Sequence, residues 1–200
     1  MAHSKIYGHA FQNVRNQKQV SLSYFELMGF SKGNISKFER GEIMMGFEKV
    51  DVLLQLMNVS LGEYELVLNN FVQNYQDEMI KILEEADVLG DKKRLNQLLQ
   101  ESYEETNYWL VLAIKACTVR LSQEECEKVT EYLYRVKVWG YFELSIAYFV
   151  LDNLAVENIK ELLHVAQEKN QNYFGIFKYR RRLLQICYRA VSLFIASGDQ

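Results

Sequence analysis

The stretch Gly29 to Gly41 (Gly-Phe-Ser-Lys-Gly-Asn-Ile-Ser-Lys-Phe-Glu-Arg-Gly) concentrates side chains able to bind an anionic, hydrogen-bonding partner. Ser31 can accept from the free N–H groups of a first helical turn, and Gly41 can stop the helix by taking the left-handed conformation. Ile35 and Phe38, three apart, share an anchoring face, while Lys32, Asn34, Lys37 and Arg40 point elsewhere. A short helix of this kind fits the major groove of DNA. Lys32, Asn34 and Lys37 would then reach base edges or adjacent phosphates, and Gly33 would let the backbone come close. Ser31 and the amides beside it can take a phosphate at the positive end of the helix. Arg40, Lys18 and Lys49 suit phosphate contacts, which set affinity and salt dependence rather than sequence choice. The alternative for Lys32 and Lys37 is an ordinary solvated face.

The elements that must position this segment are short. Residues 5–17 form a first helix with Ile6, Ala10, Phe11 and Val14 at helical spacing, and Ser21 caps a second whose buried face takes Tyr24, Phe25 and Leu27. Met28-Gly29-Phe30 turns the chain into the third helix, and Glu42 to Gly46 is a loop. Phe47, Val50, Leu53, Leu54 and Met57 give an amphipathic fourth helix, and Ser60 caps a fifth through Leu61, Tyr64, Leu68 and Phe71. Residues 1–68 read as a five-helix domain. Over residues 73–200 the texture changes to longer helices near 73–88, 91–104, 106–119, 122–138, 140–152, 155–169 and 173–197, separated by brief polar breaks. Such joints make antiparallel neighbours, the pattern of a helical-hairpin array. Leu183, Leu184, Ile186, Val191, Leu193, Phe194 and Ile195 leave the last helix apolar on most sides, so it is expected to pack under something further.

Composition supports an all-α chain of 200 residues: proline is absent and the ten glycines are thinly spread. The net charge is −3, yet residues 1–40 hold six Lys or Arg against two acids, so the start is locally basic. Three cysteines (Cys117, Cys126, Cys187) without CxxC spacing support neither a disulfide framework nor a zinc site and suit a reducing cytosol. His3, His9 and His164 form no metal-ligand spacing, and no nucleophile–base set presents itself. No metal or cofactor is expected, nor an enzyme. No apolar run approaches the roughly 18 residues of a membrane span, and no leader segment is read at the start.

Ser31 to Glu42 resembles the recognition helix of phage-repressor-like (XRE) helix-turn-helix domains, and specifically that of the Rgg/GadR/MutR regulators. The likeness is strong over 5–66 and looser over the array, where Trp139-Gly-Tyr-Phe-Glu143 matches a Trp-x-x-x-Glu pattern. It implies a cytoplasmic, homodimeric transcription regulator whose TPR-like repeats bind a short peptide pheromone, with double-stranded promoter DNA as partner and no membrane. It also implies that Arg15 pairs with Glu39 to tie the first helix to the third. Trp139 and Tyr141 become candidates to line a peptide groove. Two departures stand out. Family members run longer, so the last few helices are expected to be missing, and Phe25 stands where the motif has a small alanine, which should widen or tilt that helix crossing.

Arg180-Arg181-Arg182 is the sharpest basic run; Arg180 and Arg181 could hold a peptide carboxylate, or the run could simply be solvated. The sequence thus leads to a DNA-binding regulator, with a helical-repeat interaction adaptor as the rival.

Overall fold

A computed structural model of the chain describes residues 2–69, 75–102 and 107–198, all of them in helices, turns and loops. The chain divides into two compact units, 1–75 and 76–200.

In the first unit, α1 (Ala2–Gln17) ends where Gln19 takes a left-handed φ of 55°. Ser21 accepts from the Tyr24 amide at 3.2 Å to start α2 (Leu22–Leu27), which stops at Gly29 with φ +86°. Ser31 accepts from the Asn34 amide at 3.3 Å and opens α3 (Lys32–Glu39), closed by Gly41 at φ +70°. α4 (Phe47–Leu56) has only Gly46 at its N-cap. α5 (Leu61–Leu68) starts with a reciprocal capping box in which Glu63 accepts from the Ser60 amide at 2.7 Å. Phe71, expected in the fifth helix, lies outside the described residues. Ala10, Phe11, Val14, Phe25, Ile35, Phe38, Leu53, Leu54 and Met57 make one buried cluster. Each large apolar side chain buried there contributes roughly 1.5–3 kcal/mol. Four residues expected in this core are outside it: Leu27 is 84% exposed, Phe47 70%, Ile6 52% and Leu61 39%. α2 has only six residues; it buries Phe25 fully and packs Leu22 and Tyr24 half-buried beside it, so Leu27 is left in solvent.

The second unit contains α6 (Tyr75–Leu89), α7 (Lys92–Glu101), α8 (Tyr108–Thr118), α9 (Gln123–Arg135), α10 (Tyr141–Val150), α11 (Val156–Lys169) and α12 (Phe177–Ser197). Asp91, Asn107 and Ser122 cap α7, α8 and α9. α10 is the centre, with every residue from Leu144 to Val150 buried, and it packs on α8, α9 and α12. Two helices depart from the expected ranges. α9 stops at Arg135, short of 138, because Val136 turns extended and carries Trp139 inward. α12 begins at Phe177 rather than 173, because Gln171–Tyr173 forms a 3₁₀ turn and Ile176 is extended. No helix among the described residues is long and apolar enough to cross a membrane.

The capping carboxylates make stability depend on pH. In Glu125 the Lys115 ammonium at 2.5 Å, with the Ser122 amide at 2.9 Å, holds the carboxyl below its ordinary range. In Glu63 the Ser60 amide and hydroxyl do the same. A carboxyl lowered by folding stabilises above its unfolded pKa of about 4.3 and loses that contribution as pH falls through the lower folded value. The thermal midpoint should therefore fall below about pH 4, and Glu125→Gln should flatten part of that fall in a pH series followed by circular dichroism.

Candidate nucleic-acid interface

α3 is two-faced. Ile35, Phe38 and Glu39 are buried, while Ser31, Lys32, Gly33, Asn34, Lys37 and Arg40 are all exposed. Phe38 packs its ring 5.7 Å from Phe11, and Phe11 lies 6.2 Å from Phe25, so the anchoring face is held by α1 and α2. Phe25, the bulky departure from the motif, is wholly buried in this aromatic set. The Lys32 ammonium reaches the Ser23 hydroxyl of α2 at 3.3 Å, which steadies it at the start of the helix. Gly33 has open surroundings: an added Cβ would meet nothing nearer than the Ser31 hydroxyl, at 3.9 Å.

The expected residues do not form one patch. Lys49 of α4 lines the same surface hollow, about 470 Å³, as Ser31 and Asn34. Lys18 lies instead in a separate hollow with Tyr24 and Asn58. Arg40 is engaged locally: it donates to Glu42 at 2.6 and 3.2 Å and to the Ser36 hydroxyl.

Arg15 and Glu39 form a two-pronged ion pair, Nε to Oε1 at 2.6 Å and Nη2 to Oε2 at 3.0 Å. Arg15 also donates to the Val20 carbonyl at 2.8 Å. Their side chains are 12% and 3% exposed, so a charged bond inside the unit fixes the last turn of α3 to α1. Sequence reasoning missed Gly8, which lets α1 cross α3 at backbone contact: a Cβ there would penetrate the Phe38 carbonyl and stand 3.1 Å from that of Glu39. A glycine inside a helix is the signal that could have found it.

In the second unit a groove of about 950 Å³ runs beside α12, with Phe177, Leu184 and Tyr188 as exposed apolar lining and Arg180 and Arg181 as cations. Trp139 is not a groove residue. It is fully buried, donates from Nε1 to the Leu133 carbonyl at 2.9 Å, and its own carbonyl accepts from Asn170, so it closes the end of α9. Tyr141 is also absent from the lining. Its ring carries the Lys178 ammonium at 3.8 Å and its hydroxyl accepts from Arg182 at 2.9 Å. The arginine run is split by helical rotation: Arg180 and Arg181 reach the groove, and Arg182 is buried against Glu84 at 2.6 Å. Trp109 and Tyr132, stacked at 4.1 Å, are packing between α8 and α9.

The cysteines are free, and burial raises all three thiols. For Cys126, burial outweighs the neighbouring Glu125 charge as the cause. Among the described residues no group of His, Cys, Asp and Glu is arranged to hold a metal ion.

The chain thus joins a small unit with a capped, basic-faced third helix to a unit of packed helices. No family model matches the chain. Solved structures share the fold over nearly its whole length. The SHP pheromone receptor Rgg2 of Streptococcus dysgalactiae superposes with TM-score 0.72 at 21% identity, covering 96% of this chain and 71% of that one. A cysteine-to-serine variant of that receptor gives 0.76 at 21% identity, with 97% and 72% covered. A protein of Listeria monocytogenes EGD-e designated a transcriptional regulator gives 0.79 at 15% identity, with 98% and 71% covered. The all-α fold of Rgg-type receptors is therefore the fold of this chain.

Proposed function

We propose that this protein is a cytoplasmic, homodimeric, sequence-specific DNA-binding transcription regulator that answers to a short peptide. The observation that carries the reading is the division of α3: its apolar side and Glu39 are locked into the first unit, while Ser31, Lys32, Asn34 and Lys37 are left to solvent. Asn34 and Lys37 read base edges. Ser31 and Lys49, in one hollow, and Lys18, farther along the unit, hold phosphates. Arg40, tied to Glu42, contributes through charge alone. The peptide binds in the α12 groove, its apolar side chains against Phe177, Leu184 and Tyr188 and its carboxylate at Arg180 and Arg181. The Rgg2 likeness supports a peptide ligand, since that neighbour is a pheromone receptor. Binding would shift the population of helical-repeat arrangements and so the spacing of two recognition helices, which must fall about 34 Å apart on successive major grooves.

Fluorescence anisotropy with duplex DNA from upstream of the protein's own coding sequence tests this. Asn34→Ala and Lys37→Ala should each weaken binding by about 1–3 kcal/mol, roughly five- to 150-fold, and leave the thermal transition in place because both side chains are exposed. Unchanged affinity in both would remove α3 as the reading face. The adaptor reading draws on an apolar hollow of about 480 Å³ on the first unit, with Tyr7, Met44, Phe47 and Leu61 in its wall. A steep fall of DNA affinity with salt favours the regulator; DNA binding that ignores salt, or none, favours the adaptor.

A further inference from the structure

α6 and α12, the first and last helices of the second unit, have opposite charge. α6 carries five acids and one lysine, whereas α12 carries five cations and no acid. The two are paired residue by residue: Asp77 with Lys178 at 2.6 Å, Glu84 with Arg181 at 3.2 Å and Arg182 at 2.6 Å, and Asp87 with Arg189 at 2.7 Å. Gln185 adds a bond to Glu84 at 2.6 Å. On α6 these carboxylates sit at i, i+7 and i+10, one face of a helix.

We infer that this acidic face is a built-in occupant of the α12 arginine row, and that a carboxylate-bearing ligand entering the adjoining groove competes with it and loosens α6. The inference rests on the groove being a ligand site. Arg181 is shared: it lines the groove and also meets Glu84, with its side chain 60% exposed, so that contact is a weak, exchangeable one. Arg189 is likewise shared, between Asp87 of α6 and Asp152 at 2.7 Å on the groove wall. A ligand carboxylate offers these guanidinium groups the charge-assisted bonds that α6 now supplies. The inner pair stays closed: Arg182 is 1% exposed and does not line the groove, so Glu84 remains its counter-ion and the ligand competes only at Arg181 and Arg189. Arg182 is held further by the Tyr148 and Tyr141 rings, 4.9 and 5.3 Å from its guanidinium, and donates to the Tyr141 hydroxyl. A neutral apolar ligand has no such claim on the arginines and leaves α6 in place.

Hydrogen exchange of the full chain, read over the α6 amides, tests the clasp. In Lys178→Gln/Arg181→Gln, both exposed positions, α6 exchange should rise about tenfold while α8 and α10 hold their protection. With the wild type, a short fluorescein-labelled leucine-rich peptide ending in glutamates should raise α6 exchange similarly, and its amidated glutamine twin should bind without doing so. Unchanged α6 exchange in the double variant overturns the clasp. Binding of the acidic peptide, seen by anisotropy, with α6 protection intact also overturns it and leaves the groove as a ligand site. Failure of both peptides to bind removes the groove reading and the competition together.

Discussion

Arg15→Ala should cost about 3–5 kcal/mol, because it leaves the Glu39 carboxylate inside the first unit without its cation. The Glu39 side chain is 3% exposed and, among the described residues, has besides Arg15 a long 3.5 Å contact from Gln12. The same substitution strips the Val20 carbonyl of its 2.8 Å donor and so loosens the turn between α1 and α2. For a unit of this size each kcal/mol lowers the midpoint by roughly 4–8 °C. Both tryptophans, Trp109 and Trp139, lie in the second unit. Circular dichroism should therefore show an early transition in Arg15→Ala that tryptophan fluorescence does not follow. Glu39→Gln keeps the shape and removes the charge, so it should be milder than Glu39→Ala. A single coincident transition at the wild-type midpoint would mean that the pair contributes nothing.

Gly8→Ala should be of comparable size for a different reason. The obstacle to the new methyl group is backbone, the carbonyl groups of Phe38 and Glu39, which cannot swing aside as a side chain would. α1 must rise off the end of α3, so the cost should reach or pass the top of the usual range of about 1–3 kcal/mol for overpacking. The crossing that shifts also carries the Arg15–Glu39 bond and the Phe11–Phe38 contact, so the loss should propagate to both. DNA affinity should fall together with stability in this variant, whereas Lys37→Ala should lower affinity alone. An alanine variant with the wild-type midpoint and affinity would contradict the close approach.

Local chemistry was legible from the sequence, and long-range burial was not. Ser21, Ser31 and Ser60 start helices because a hydroxyl capping the amide three residues on needs no tertiary partner. The two-faced α3 follows from spacing alone. Trp139 misled because an aromatic just before a glycine break, in Val138-Trp139-Gly140, reads equally as ligand platform or packing. Its burial is decided by Lys169 and Asn170, thirty and more residues onward: the Trp139 amide donates to the Lys169 carbonyl, and the Lys169 ammonium caps the end of α9 at Leu133 and Tyr134. The arginine run misled similarly. Three adjacent cations look alike until Glu84, almost a hundred residues earlier, selects Arg182 for the interior. The last helix behaves partly as its composition suggested: Ile186 and Ala190 are buried, but Leu184, Tyr188 and Ile195 remain exposed.

The most direct measurement is selection of bound duplexes from a random-sequence pool by the full chain and by Lys32→Ala/Asn34→Ala/Lys37→Ala. The wild type should converge on one motif with two half-sites about a helical turn, roughly 34–36 Å, apart. The triple variant, with its fold intact by circular dichroism, should enrich nothing. The same motif emerging from the variant, or none from the wild type, would contradict the claim that α3 reads DNA.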